Sequence, residues 1–190
     1  MRKSLFIILL GFAMFTFGCT SYWGVVQETK VSGDLKKYKV INVGWLDLNE
    51  NKWKDFGYEK KEKWVEAINF MNQKNMPDYF NKLITEKKST VVASKNNQPE
   101  NDGLVIKFSN VEYVQRTSTA AKIFFGAMAG SDTLDLTIHF IDGKSGRELY
   151  KVTASIYSKA AMDVSGWGFE GRVNNCVYNL VYFINEKIEQ

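Results

Sequence analysis

Two side chains in this 190-residue sequence carry obvious reactive chemistry, the Cys19 thiol and the single imidazole, His139. Cys19 closes a patterned stretch. Arg2 and Lys3 are basic, Leu5 to Phe17 is apolar, and Thr16-Phe17-Gly18-Cys19 follows. The apolar run is too short to span a bilayer as a helix, and its layout is that of an export signal. Gly18 fits the narrow subsite of a signal peptidase. A cysteine directly after it offers the thiol that accepts a diacylglycerol. Thr16 stands where the usual lipid-attachment motif has leucine. The reading is cleavage after Gly18 and lipidation of Cys19. An ordinary cleaved signal with an incidental cysteine is the plainer alternative.

His139 invites a different chemistry. A hydrolase triad needs a nucleophile and an orienting carboxylate beside the imidazole. Asp135 shares its strand face but lies four residues away, ~13 Å at strand rise. The sequence names no closer partner, so His139 reads as a half-exposed and dispensable strand histidine. One histidine without a His/Cys/Asp cluster at ligand spacing also argues against a zinc site. Gly166, Gly168 and Gly171 precede a helix, but no strand leads into them, so they lack the dinucleotide-binding context. Neither cofactor nor metal nor catalytic residue is expected.

The remaining candidates are apolar or aromatic. Trp53, Phe56, Tyr58, Trp64 and Trp167 suit stacking on sugar rings. They equally suit partner docking, where Trp and Tyr are favoured, or plain loop packing. Ala120 to Gly130 is almost wholly apolar or small, with Ile123, Phe124, Phe125 and Met128. It is too short to cross a bilayer. Either it caps the open end of the core, or Phe124 and Phe125 project into a partner or the headgroup layer.

The elements that must position these residues follow from periodicity. Ser131 to Tyr157 reads as a long hairpin. Leu134, Leu136, Ile138 and Phe140 alternate with Asp135, Thr137 and His139; the turn is Asp142 to Gly146; Tyr150, Val152, Ala154 and Ile156 alternate with Lys151, Thr153, Ser155 and Tyr157. Further strands are expected over Tyr38 to Leu48, Thr90 to Ser94 and Gly103 to Val114. One helical stripe begins near Trp64, restarts at Asn75-Met76-Pro77 and runs to about Glu86. A final helix ends at Ile188, with Cys176 as an inert core thiol. The predicted fold is α/β: a single domain with a mixed, largely antiparallel sheet of about five strands and two helices packed on one face. Residues 1–18 form the signal, 19–36 the lipidated cysteine and a flexible tether, and 37–190 the domain. Fully extended, the tether reaches ~55 Å from the membrane.

The run Gly126-Ala-Met-Ala-Gly130-Ser131, the long alternating strand, and Asp142 with Ser145-Gly146 before a second strand carry a family resemblance. The chain resembles bacterial lipoproteins that share a domain of unknown function, similar in layout to the YajG lipoprotein and the N-terminal domain of TolB. The match covers roughly Tyr38 onward and is best from Leu104 to Ile156. It implies a periplasm-facing α/β domain on a lipid anchor and supplies no catalytic residues. Asn49 to Asn75 is longer than that layout requires.

Removing Arg2 and Lys3 lowers the net charge from +4 to about +2. No Lys/Arg cluster marks a nucleic-acid surface. With Cys19 acylated, Cys176 has no disulfide partner. Thr20 is not the aspartate that retains many lipoproteins in the inner membrane, so the expected place is the outer membrane, facing the periplasm, in a cell with two membranes. The expected function is non-enzymatic: a lipid-anchored accessory or assembly factor that docks on another envelope protein. A glycan- or small-ligand-binding lipoprotein is the alternative. An envelope hydrolase, resting on His139 alone, is third.

Overall fold

The computed structural model describes residues 22–30, 33–46, 61–85, 90–94, 103–115, 130–158 and 168–190. These form one mixed sheet of six strands with helices on one face. The strands are β1 (Trp23–Lys30), β2 (Val40–Gly44), β3 (Thr90–Ser94), β4 (Leu104–Val114), β5 (Thr133–Asp142) and β6 (Glu148–Tyr157). Their spatial order is β1-β6-β5-β4-β2-β3. The β2–β3 and β2–β4 pairings are parallel and the others antiparallel.

The hairpin β5–β6 forms as its alternation dictates. Leu134, Leu136, Ile138 and Phe140 are buried, as are Val152, Ala154 and Ile156. The turn is closed by Asp142, whose Oδ1 accepts from the Ser145 backbone N at 2.8 Å while its carbonyl accepts from Gly146 N at 2.8 Å. Gly146 has φ +69°, a left-handed conformation that a residue without Cβ adopts at little cost. At the start of β4, a Cβ on Gly103 would lie 2.8 Å from the Val40 carbonyl, so the β2–β4 approach needs glycine there.

Two helical segments cover the apolar face. α1 (Lys61–Phe70) and α2 (Met76–Thr85) are joined by a π-helical turn, Met71–Asn75, in which Met76 N donates to the Met71 carbonyl. The expected restart at Asn75-Met76-Pro77 therefore does not occur. A proline ring collides with the carbonyl four residues back in a regular helix, and a widened turn just before Pro77 keeps the helix running. Asn75 does not cap; its Nδ2 donates to Asn174 Oδ1 at 2.7 Å. The last helix, α3 (Phe169–Glu189), has Glu170 in its first turn and Lys187 in its last, both favourable to the helix dipole. It buries Val173, Cys176, Val177, Leu180 and Ile184 against the sheet, each worth about 1.5–3 kcal/mol for the large aliphatics.

The flexible tether expected over residues 19–36 is corrected by β1. Trp23–Lys30 is an edge strand, paired antiparallel with β6 from Trp23↔Ile156 to Lys30↔Tyr150. This strand is also why the sheet has six strands. Its signal was hidden because a register shift between Val25 and Gln27 breaks the period of two.

Candidate functional site

Most of the residues singled out by sequence lie outside the described residues. These are Gly18, Cys19, Trp53, Tyr58, Ile123, Phe124, Phe125, Met128 and Trp167. Trp64 lies in α1, but its side chain is outside the described set. Cys176 is a free, buried thiol, with Sγ 3.6 Å from the Ile156 carbonyl and its pKa pushed up by burial first.

His139 is the sequence candidate whose surroundings are described, and it has the partners the sequence could not name. It faces away from the helices. Its Nε2 lies 2.7 Å from Ser109 Oγ and its Nδ1 2.5 Å from Glu148 Oε1. Ser109 and His139 share this face by alternation, and a bulge brings Glu148 onto it. In β6, Phe140 pairs with Tyr150 while Ile141 pairs with Glu148. Leu149 is thus the extra residue; it turns into the core, and Glu148 takes the face that strict alternation would give to Leu149. In β4, Ser109 pairs with Thr137 and Glu112 with Asp135. The intervening Asn110 has φ +52°, the one non-glycine residue with positive φ among those described. That residue switches the phase of the strand, so Val111 and Tyr113 are buried where Leu104 and Ile106 were before it. Lys107 and Lys151 stand directly across from His139 on the two neighbouring strands, and both are exposed. Thr137 and Thr153 share a 3.0 Å hydroxyl contact in the next row.

A second cluster is fully enclosed. Asp132 Oδ2 accepts from Arg172 Nε at 2.6 Å and from the Tyr113 hydroxyl at 2.7 Å. Asp132 and Arg172 are both 0% exposed. Asp132 N donates to Ser158 Oγ, and Ser158 N returns a bond to the Asp132 carbonyl, each 2.9 Å. The group joins β4, the start of β5, the end of β6 and the first turns of α3. Burial, then the neighbouring Cys176 and Asp132, push the Tyr113 phenol well above its ordinary value. A group with no route to solvent locks the fold rather than meeting a substrate. Sequence reasoning missed it because Asp132 and Arg172 are forty residues apart and neither belongs to a motif.

A cleft of about 350 Å³ opens between β1, β6 and α3, lined by Glu28, Leu35, Tyr150 and Lys187 among others. Its polar groups are turned on one another. Glu28 Oε1 accepts from the Tyr150 hydroxyl and, at 3.1 Å, from Lys187 Nζ. Burial and then the Glu28 hydrogen bond raise the Tyr150 pKa. The arrangement clasps β1 to the end of α3.

At the hairpin tip, the Tyr38 hydroxyl donates to Asp142 Oδ2 at 2.5 Å. That bond, then the Ser145 backbone N–H, hold the Asp142 carboxyl at about 2 against an ordinary 3.8. Burial, then the same bond, lift Tyr38 from 10.0 to about 12. A depressed carboxyl contributes stability that is full above about pH 3.8 and is lost as pH falls through about 2. A raised phenol contributes stability that is full below about pH 10 and is lost as pH rises through about 12. In Tyr38→Phe, the Asp142 carboxyl is expected to titrate closer to 3.8, read by NMR of its side-chain carbon. An unmoved titration would show that the turn alone holds the carboxyl down.

No family model matches the chain, and no curated protein matches it. Among solved structures it is similar to the PelC dodecamer from Paraburkholderia phytofirmans, at 13% identity and a TM-score of 0.42, covering 82% of this chain and 97% of that one. A point variant of the same protein in another crystal form gives 14% identity and a TM-score of 0.39, with the same coverage.

Proposed function

We propose that this chain is a lipid-anchored protein of the bacterial envelope that docks on another envelope protein as an accessory or assembly factor. The observation that carries the reading is the order of Arg2-Lys3, the apolar run and Gly18-Cys19. It is supported by the position of β1, which begins only four residues after Cys19. With so little chain between lipid and sheet, the domain works within ~15 Å of the bilayer surface. The end of the domain nearest the anchor is aromatic. The Trp23 ring lies 5.8 Å from that of Tyr182 and 5.4 Å from that of Phe183. Tyr182 is 41% exposed and Tyr178, one turn earlier on α3, 44% exposed. Exposed tyrosines on a rigid helix make low-entropy contacts with a partner. The same aromatics suit a glycan, which is the second reading.

Crosslinking in membranes followed by co-purification tests the proposal. The wild-type chain is expected in the membrane fraction, with lipid on its Cys19 peptide by mass spectrometry and a reproducible crosslinked envelope protein. Cys19→Ser is expected in the soluble fraction with that crosslink lost. An unmodified Cys19 peptide, or a Cys19→Ser protein that stays fully membrane-bound, would defeat the anchor. A shift in tryptophan fluorescence with oligosaccharide, and no crosslink, would favour the glycan reading.

A further inference from the structure

On the sheet face turned away from the helices, side chains from three strands form one continuous hydrogen-bonded line. Ser109 Oγ, His139 Nε2, His139 Nδ1 and Glu148 Oε1 succeed one another at 2.7 Å and 2.5 Å. For a neutral imidazole the order favours one placement of its proton. A carboxylate only accepts, so Glu148 selects the tautomer with hydrogen on Nδ1. Nε2 is then left with its lone pair directed at the Ser109 hydroxyl. That is the proton arrangement an activated serine requires. The line is also reachable. The His139 side chain is 20% exposed, that of Glu148 38%, and Ser109 is half-buried.

Two further features belong to the same place. Ser109 directly precedes Asn110, whose φ of +52° is a sparsely populated conformation for a residue with a Cβ. Bulges and such residues gather where a side chain has to be aimed. Lys107 and Lys151 flank His139 on the adjoining strands. Both are exposed, which gives this part of the sheet face a positive character.

We propose that Ser109, His139 and Glu148 form a hydrolytic site for carboxylic esters. The proposal goes beyond docking, adding bond-cleaving chemistry to a module whose sequence reads as non-enzymatic. Ser109 Oγ attacks the ester carbonyl carbon as its proton passes to His139 Nε2. The carbon–oxygen bond to the alcohol then breaks, and the departing oxygen takes that proton from Nε2. Water attacks the resulting acyl-serine, gives a proton to Nε2, and the carboxylic acid leaves as Ser109 regains its hydrogen. Ser109 and His139 are the catalytic residues, and Glu148 is a positioning residue. Ser109 stands on a strand face rather than in the cleft of Tyr150 and Lys187. The substrate class is therefore a small acyl group borne on a larger molecule lying across the strands.

The test uses the full chain in detergent. A fluorophosphonate probe is expected to form an Oγ–phosphorus bond with release of fluoride, and peptide mapping is expected to place the adduct on Ser109. The adduct should be absent in Ser109→Ala and form at least about a hundredfold more slowly in His139→Gln. Glu148→Gln is expected to lower kcat for p-nitrophenyl acetate while leaving KM unchanged, which a merely structural role would not do. Mapping on the unsubstituted protein needs no variant to fold. An adduct absent from Ser109, or one that forms equally fast in a folded His139→Gln protein, overturns the proposal.

Discussion

Asp132→Ala is expected to lower the unfolding free energy by about 3–5 kcal/mol, the range found when one partner of a buried ion pair is removed. The size follows from what is left behind. Arg172 is fully enclosed and would lose the Asp132 carboxylate that meets its charge. The Tyr113 hydroxyl, also enclosed, would lose its acceptor. The Ser158 bonds run through the Asp132 backbone and would survive, so the β5–β6 ends should stay in register. Urea unfolding at neutral pH reads the loss as a lower midpoint at an unchanged slope. Asp132→Leu combined with Arg172→Met should recover much of it, because two apolar side chains carry no desolvation cost. A loss under about 1 kcal/mol in Asp132→Ala would mean that water reaches Arg172.

Asn72→Asp is expected to cost about 2–4 kcal/mol, although it exchanges one NH2 for an oxygen. Asn72 is buried in the π-helical turn and acts as a strand partner for the chain beyond β2. Its Oδ1 accepts from Leu46 N and its Nδ2 donates to the Leu46 carbonyl, both at 2.8 Å. A carboxylate there keeps the first bond and sets two oxygens face to face in place of the second. The penalty should ease on acidification, since a protonated carboxyl can again donate to the carbonyl. Thermal unfolding of the variant at pH 7 and pH 4 reads this directly. Equal losses at both would show that packing, not the donor, is what Asn72 supplies.

Periodicity made the layers legible and left the contacts obscure. The alternation of Leu134 to Phe140 and the helical spacing of Val173 to Ile188 each report which side of an element is apolar, and each element formed accordingly. They carry no information on register between strands. Glu148 was invisible as a partner of His139 because it reaches that face through a bulge, a local exception to the period of two, and Ser109 because alternation sets its face but not its register against β5. Alternation counted through Asn110 puts Val111 and Tyr113 on the wrong face. Asp132 and Arg172 meet because a strand start and a helix start converge in space. A tract such as Trp23–Lys30 gives no amphipathic signal, since its register shift between Val25 and Gln27 interrupts the alternation.

The pairing of Trp23 with Ile156 also sets an order of events. A chain that enters its compartment amino end first presents β1 long before β6 exists to receive it. The β5–β6 hairpin is local and can close alone, and β4 can join it at modest loop-closure cost. β1 cannot join until nearly everything between has emerged. For that interval its backbone donors and acceptors are open to any other strand edge nearby. β1, the first strand in the chain, can thus take its place in the sheet only after the last strand, β6.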